Sequence, residues 1–224
     1  MHWICRSLTR RSIEACSQAR GVLKKELLGH LRTRRTLRRS RHATLRKQSR
    51  GQIVDAISIR ERPAEIEDRA IPGHWEGDLI AGIHHSYIAT LVERHSRFVM
   101  LVKVDDKSSP AVVKALIIQV RHLPKELRKS LTWDRGLEMA RHKEFSVATD
   151  VDVYFCDPRS PWQRGTNENT NRLLRQYLPK QSDLSEHSQA ELNKIALRLN
   201  QRPRKTLNFR CPADKLSEFV ALTA

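Results

Sequence analysis

The sequence predicts an α/β domain in which three antiparallel strands are followed by alternating helices and strands. Three observations lead there. Between Trp75 and Val104, three runs rich in Val, Ile, Leu and aromatic residues follow one another with only short polar turns between them. From Ser109 the apolar residues change to helical spacing. Beyond Pro124, two compact apolar runs bracket a helix-like segment, and strand–helix alternation of this kind favours parallel pairing with crossover helices.

In chain order, residues 1–54 form a basic segment. Val22 to Leu31 (VLKKELLGHL) carries Leu23, Leu27, Leu28 and Leu31 at helical spacing, and the arginine-rich stretch after it has too few apolar residues for a core. A short helix and then a flexible arm are expected. Residues 55–74 mix acids, prolines and short apolar pairs, and read as a linker lying on the next domain's surface. Residues 75–224 form the main domain. WEGDLIAG, SYIATLVER and RFVMLVKV are its first three strands. Ser109 and Pro110 supply an N-cap and a first-turn proline for a helix through about Arg121, with Val112, Ala115, Leu116 and Ile117 as its apolar stripe. SLTW and VDVYF are strands around the helix LEMARHKEFSVAT. TNENTNRLLRQYL, SEHSQAELNKIALRLN and a segment from near Pro212 complete the chain as helices. This is the layout of a ribonuclease-H-like mixed sheet.

Composition narrows the function classes. The chain has 224 residues, 39% of them hydrophobic, enough for one substantial domain with smaller appendages. No apolar stretch reaches about 18 residues, so no membrane span is expected, and the arginine-interrupted start is a poor signal peptide. Cys5, Cys16, Cys156 and Cys211 have no zinc-type spacing and are expected as free thiols in a reducing compartment. His84 and His85 fall at a turn without a partner cluster, which favours a surface role over metal ligation. The net charge of +17 is concentrated: residues 1–50 hold 15 Lys and Arg against two acids. Such a segment suits a polyanion, because neutralising phosphates releases condensed counterions. A solvated tail or an anionic-membrane contact is the alternative that charge alone leaves open.

Within the expected fold, Asp78 lies mid-way along the first strand and Asp134 ends the fourth, so the two can face each other at the sheet's centre. Glu168, near the start of a later helix, can reach the same point. Three close carboxylates repel one another unless a cation compensates. All-oxygen ligands favour Mg²⁺ or Mn²⁺, and a pair of such ions suits in-line phosphodiester chemistry. Most acids on any chain are surface charges; Asp78 and Asp134 stand out because they interrupt apolar strands. Arg172 and Arg175 share the helix face of Glu168 and are candidates for phosphate contact, as are Arg164, Lys180 and the arm residues Arg34, Arg35, Arg38 and Arg39. A surface Glu168–Arg172 ion pair is the bland alternative.

The runs PGHWEGDLI, TLVERHSRFVML, LTWDRGLEMARH and DPRSPWQRGTNENTNRLLRQYLP, with the closing LNQRPRKTLNF, resemble transposases of the IS-thirty family of bacterial insertion sequences over roughly residues 17–216. The resemblance implies an integrase-type catalytic core whose Asp, Asp, Glu triad falls on Asp78, Asp134 and Glu168, with 33 residues between the last two. It also implies Mg²⁺ dependence and successive attack on phosphodiesters by water and a DNA 3′-hydroxyl. Duplex DNA, both transposon ends and target, is the implied partner, with a homo-oligomer assembled on it in the bacterial cytoplasm at the nucleoid. Relatives carry a helix-turn-helix region ahead of the basic segment, and Met1 to Cys16 does not resemble the sequence they have there. The reading is therefore of a truncated transposase. Its alternatives are a catalytically silent DNA-binding remnant that inhibits a full-length relative, and a host ribonuclease H or repair nuclease, against which the PWQRGTNEN block speaks.

Overall fold

A computed structural model describes residues 53–67 and 69–223. These fall within one compact unit, Gly51–Ala224, and its centre is a six-stranded sheet. The strands are β1 (Ile57–Ser58), β2 (His74–Ala81), β3 (Tyr87–Glu93), β4 (Val99–Val104), β5 (Ser130–Trp133) and β6 (Asp152–Phe155). Their spatial order is β1-β6-β5-β2-β3-β4. The β2–β3 and β3–β4 pairings are antiparallel, while β5 pairs parallel to β2 and β6, and β1 parallel to β6. The expected mixed sheet is therefore present: three antiparallel strands, then strands alternating with helices.

The helices of the described residues are α1 (Ser109–Arg121), α2 (His142–Thr149), α3 (Gly165–Leu174), α4 (Gln189–Asn200) and α5 (Pro212–Thr223). α1 begins one residue differently from expectation. Ser108, not Ser109, is the extended N-cap residue, and the Ser109 hydroxyl instead accepts a hydrogen bond from the Arg141 amide at 2.8 Å. The segment LEMARHKEFSVAT divides into a 3₁₀ turn (Leu137–Met139) and α2. α4 starts with a capping box, in which Ser188 and Glu191 satisfy each other's backbone amides.

Side chains alternate across the sheet, and the two faces build two cores. Trp75, Leu91, Leu131, Trp133 and Phe155 pack with α1, α2 and the Met139 turn. Ile80, Ile88, Val92 and Leu101 pack on the other side with Leu174, Leu178, Leu192 and Leu199. Burying each such side chain contributes about 1.5–3 kcal/mol, so both helical layers are held mainly by apolar contact. Within the segment expected as a linker, β1 adds an edge strand and Ile59 and Ile66 are buried. The Arg62 guanidinium, almost fully buried, bonds Thr132 Oγ1 at 3.2 Å and Glu67 at 2.8 Å. No helix of the described residues is long and apolar enough to cross a membrane.

Candidate active site

Along β2, the residues His74, Glu76, Asp78 and Ile80 face the α3–α4 side, while Trp75, Gly77 and Leu79 face the other core. The parallel register pairs His74 with Ser130 and Glu76 with Thr132. The same offset carries Asp78 onto Asp134, just past the end of β5. Two carboxylates thus meet at the carboxyl end of adjacent parallel strands. They are joined by one guanidinium. Arg164 Nη1 lies 3.1 Å from Asp78 Oδ1, and Nη2 lies 3.2 Å from Asp134 Oδ2. Nη1 also donates to the Gly77 carbonyl at 2.9 Å.

Each carboxylate is oriented by local donors. Asp78 Oδ1 accepts from the Leu79 amide at 3.0 Å, and Oδ2 accepts from Asn171 Nδ2 at 2.9 Å. Asp134 Oδ1 accepts from the Gly136 amide at 2.9 Å. Burial pushes the Asp78 carboxyl above its ordinary range; Arg164 opposes the shift and Asp134 adds to it. For Arg164, burial works against the charged form, but Asp78 and Asp134 outweigh it and the net shift is upward. The site combines partly desolvated negative charge with a cation set between its two acids.

A third carboxylate stands near the pair. Glu138 accepts a hydrogen bond from Trp133 Nε1 at 3.1 Å. Burial raises its carboxyl, the Trp133 bond opposes this, and Asp134 and Asp78 raise it further. Two glycines make this arrangement possible. A Cβ on Gly77 would overlap the Trp133 ring, and one on Gly136 would overlap the Glu138 carboxylate. Sequence reading passes over Glu138, although its place four residues after Asp134 in a tight Gly turn is a local signal.

Of the expected triad, the structure brings Asp78 and Asp134 together, and no hydrogen bond or ion pair among the described residues joins Glu168 to either. Glu168 lies in the first turn of α3 with an exposed side chain. Asn171, three residues on, reaches Asp78, and i,i+3 side chains are neighbours on a helix surface. Among the described residues, no three Asp, Glu, His or Cys side chains are gathered closely enough to hold a metal ion. The donors that are present nevertheless suit a hard cation. A positive group already sits between two carboxylates, and the buried Asn171 Oδ1 next to Asp78 has no hydrogen-bond partner. No ion pair among the described residues joins Glu168 to Arg172.

The basic candidates separate in the same way. Arg164 is engaged by the acids, and Arg175 donates to the carbonyls of Ala81 and Leu178 at 3.2 and 3.3 Å. Arg172 and Lys180 are exposed. Arg34, Arg35, Arg38 and Arg39 lie outside the described residues, as do Cys5 and Cys16. Cys156 is a buried free thiol, pushed by burial up to about 11, and Cys211 is also free. His84 and His85 occupy the β2–β3 turn in left-handed conformations, and His84 Nδ1 lies 3.2 Å from Asp183.

What holds α3 against the sheet was not legible in advance. Its N-cap residue Arg164 makes no side-chain cap, so the first amides need outside acceptors. Glu76 supplies one. Its Oε2 accepts from the Asn167 amide at 2.9 Å, and its Oε1 accepts from Arg94 Nε at 3.2 Å. The Asn167 side chain donates to the Glu76 and Thr90 carbonyls at 2.7 and 3.2 Å. Arg97 Nη1 donates to Thr166 Oγ1 at 2.9 Å. This buried polar clamp fixes the start of the helix that carries Glu168 and Asn171.

Residues 68–161 match the integrase core domain family, a stretch that includes Asp78, Asp134 and Glu138 and ends before Glu168. The chain is 54% identical over 196 residues to the transposase InsI of insertion element IS30A from Escherichia coli K12, covering 87% of this chain and 51% of that protein. It is 53% identical over 203 residues to the transposase of IS1086 from Cupriavidus metallidurans, covering 90% of this chain and 59% of the relative. The chain belongs to the IS30 family of insertion-sequence transposases. A more distant relative, the transposase of insertion element IS4351 from Bacteroides fragilis, is 35% identical over 192 residues, covering 85% of this chain and 59% of that protein. The chain thus spans about half the length of the curated relatives it matches.

Proposed function

We propose that this chain carries out the metal-dependent DNA cleavage and strand-transfer chemistry of an insertion-sequence transposase, with Asp78, Asp134 and Glu168 as its active-site acids. The observation that carries the reading is the facing of Asp78 and Asp134 across parallel strands around a shared positive charge. Asp78 and Asp134 would hold Mg²⁺ or Mn²⁺, with Glu168 turning in from the adjacent first turn of α3. When bound, the ions supply activation of the attacking hydroxyl and stabilisation of the leaving oxygen.

The chain's own residues set the rest. The strand ends of β2 and β5 fix the spacing of the two acids, because a register shift of one residue would turn Asp78 to the opposite face. Asn171 and the Leu79 amide orient Asp78, and the Gly136 amide orients Asp134, so neither carboxylate is free to rotate. The buried Glu76–Asn167 clamp holds α3 at a fixed height over the sheet. In the reaction, a water oxygen and later a DNA 3′-hydroxyl oxygen bond to phosphorus as the P–O3′ bond breaks, and the departing 3′-oxygen takes up a proton. Exposed Arg172 and Lys180, and the basic residues 1–50, are the candidates for contact with duplex phosphate.

Purified chain with Mn²⁺ should nick supercoiled DNA, and Asp134→Asn should abolish the nicking while the protein remains folded. Equal nicking by the variant would reject the assignment. Replacing Arg34, Arg35, Arg38 and Arg39 together with alanine should weaken DNA binding and flatten its salt dependence. An unchanged salt slope would remove the arm from the interface.

A further inference from the structure

We propose that Arg164 is the active site's own counter-ion, a positioning residue whose guanidinium occupies the cation position between Asp78 and Asp134 and must be displaced when a divalent metal binds. The inference rests on the reading of those acids as metal ligands. It concerns an arginine which sequence alone assigns to DNA phosphate.

Three features of the geometry support it. First, the guanidinium does not grip one carboxylate with its fork, the usual strong arrangement of an Arg–carboxylate pair. It gives Nη1 to Asp78 and Nη2 to Asp134, at 3.1 and 3.2 Å, and so spans the gap between the two acids. Second, the seat is incomplete. Arg164 Nε is buried with no partner, although a buried cationic side chain normally satisfies its donors. The contact therefore holds the acids together without being the best lodging for the arginine. Third, the side chain is not sealed in, with 13% of it exposed. Arg164 ends the 3₁₀ turn Pro161–Arg164, whose Pro161 and Trp162 are exposed. The turn itself is pinned by Gln163, which accepts from the Asp157 amide at 2.8 Å and donates to the Asp157 carboxylate at 3.1 Å. The long side chain can swing outward while the backbone stays in place.

Two positive groups cannot share the gap, because like charges a few ångströms apart in a partly desolvated site repel strongly. In the free protein Arg164 suppresses repulsion between the acids and weakens metal binding by competition. Duplex DNA changes the balance. A phosphate beside the site offers the displaced guanidinium a new partner, so DNA and metal bind cooperatively, each favouring the conformer that accepts the other. The same arginine thereby serves the acids before DNA arrives and the phosphate afterwards.

Titrating the full chain with MnCl₂ by calorimetry tests this without any cleavage. Arg164→Gln should bind Mn²⁺ about tenfold more tightly than the wild type, because the competing conformer is removed. Arg164→Met, which keeps the apolar stem and loses the charge, should do the same and stands in if the glutamine variant does not fold. Arg164→Lys should stay near the wild type. A short duplex with a non-cleavable linkage should tighten Mn²⁺ binding to the wild type and have a much smaller effect on Arg164→Gln. Unchanged or weaker Mn²⁺ binding by the folded neutral variants, with the wild type binding normally, would overturn the role of Arg164 alone. If neither wild type nor variants bind Mn²⁺, the metal-ligand reading of Asp78 and Asp134 fails, and this inference with it.

Discussion

Glu76 and Asp78 stand two residues apart on the same face of the same strand, and the sheet treats them in opposite ways. The Glu76 side chain is 0% exposed, bound by the Arg94 guanidinium and by the amide of Asn167. The Asp78 side chain is 29% exposed, and its acidic neighbour Asp134 is 42% exposed, with Arg164 between them. Glu76 sits where α3 covers the sheet, so one carboxylate oxygen holds the helix and the other holds Arg94. Asp78 also lies against α3, bonded by Asn171, but its side chain keeps an exposed edge beside the end of β5, where a second acid approaches it. One strand therefore carries a buried structural carboxylate and a partly exposed one proposed as chemical, and local packing, not residue type, separates them.

Breaking the structural carboxylate should have the largest effect. Glu76→Ala leaves Arg94 buried without its partner and frees the start of α3, and should cost about 3–5 kcal/mol in denaturant unfolding. Asp78→Asn should invert that pattern. Thermal unfolding should change little, since Arg164 keeps Asp134 and the Gly77 carbonyl, while Mn²⁺-dependent nicking falls by about a hundredfold or more. Loss of stability for Asp78→Asn equal to that of Glu76→Ala would erase the distinction.

The facing of Asp78 and Asp134 was largely readable from sequence because both interrupt apolar strands. That is a local signal. The structural half depends on partners far along the chain: Glu76 meets Arg94 18 residues away and Asn167 91 residues away. In sequence Glu76 looks like any polar residue of an alternating strand. Arg164 was legible only as a candidate for phosphate contact, and its partners follow from the β2–β5 register, which sequence alone does not print. The strand β1 is only two residues long and pairs with β6 near the other end of the chain's core, so no periodicity announces it. The three antiparallel strands and the major helices were legible because each carries its own apolar period over many residues.

Smaller effects sharpen the boundary between the two carboxylates. Gly77, between them, faces the opposite core, where Trp133 packs against it. Gly77→Ala should cost about 1–3 kcal/mol through overpacking and displace the indole that holds Glu138, detectable as a changed Trp fluorescence together with the stability loss. An alanine tolerated without either change would show that the ring is free to move.

The mildest prediction concerns His74, two residues before Glu76 on the same face. Burial, then the positive charges of Lys129, Arg94 and Arg62, lower its ring to about 4 from 6.5. The unfolded chain binds this proton first as pH falls, so the stability contributed by neutral His74 is fully present above pH 6.5 and is lost progressively down to about pH 4. His74→Gln should flatten the stability–pH curve in that window relative to the wild type, as followed by thermal melts. Identical slopes would mean that His74 takes up its proton without opening the fold.

The most direct test of the site is a crystal of the chain soaked in Mn²⁺ and examined by anomalous scattering. A peak about 2.0–2.3 Å from carboxylate oxygens of both Asp78 and Asp134, with the Arg164 guanidinium moved away, is the expected result. A peak elsewhere, or occupancy that leaves the Arg164 bridge intact, would contradict the assignment of these two acids as the metal-holding centre.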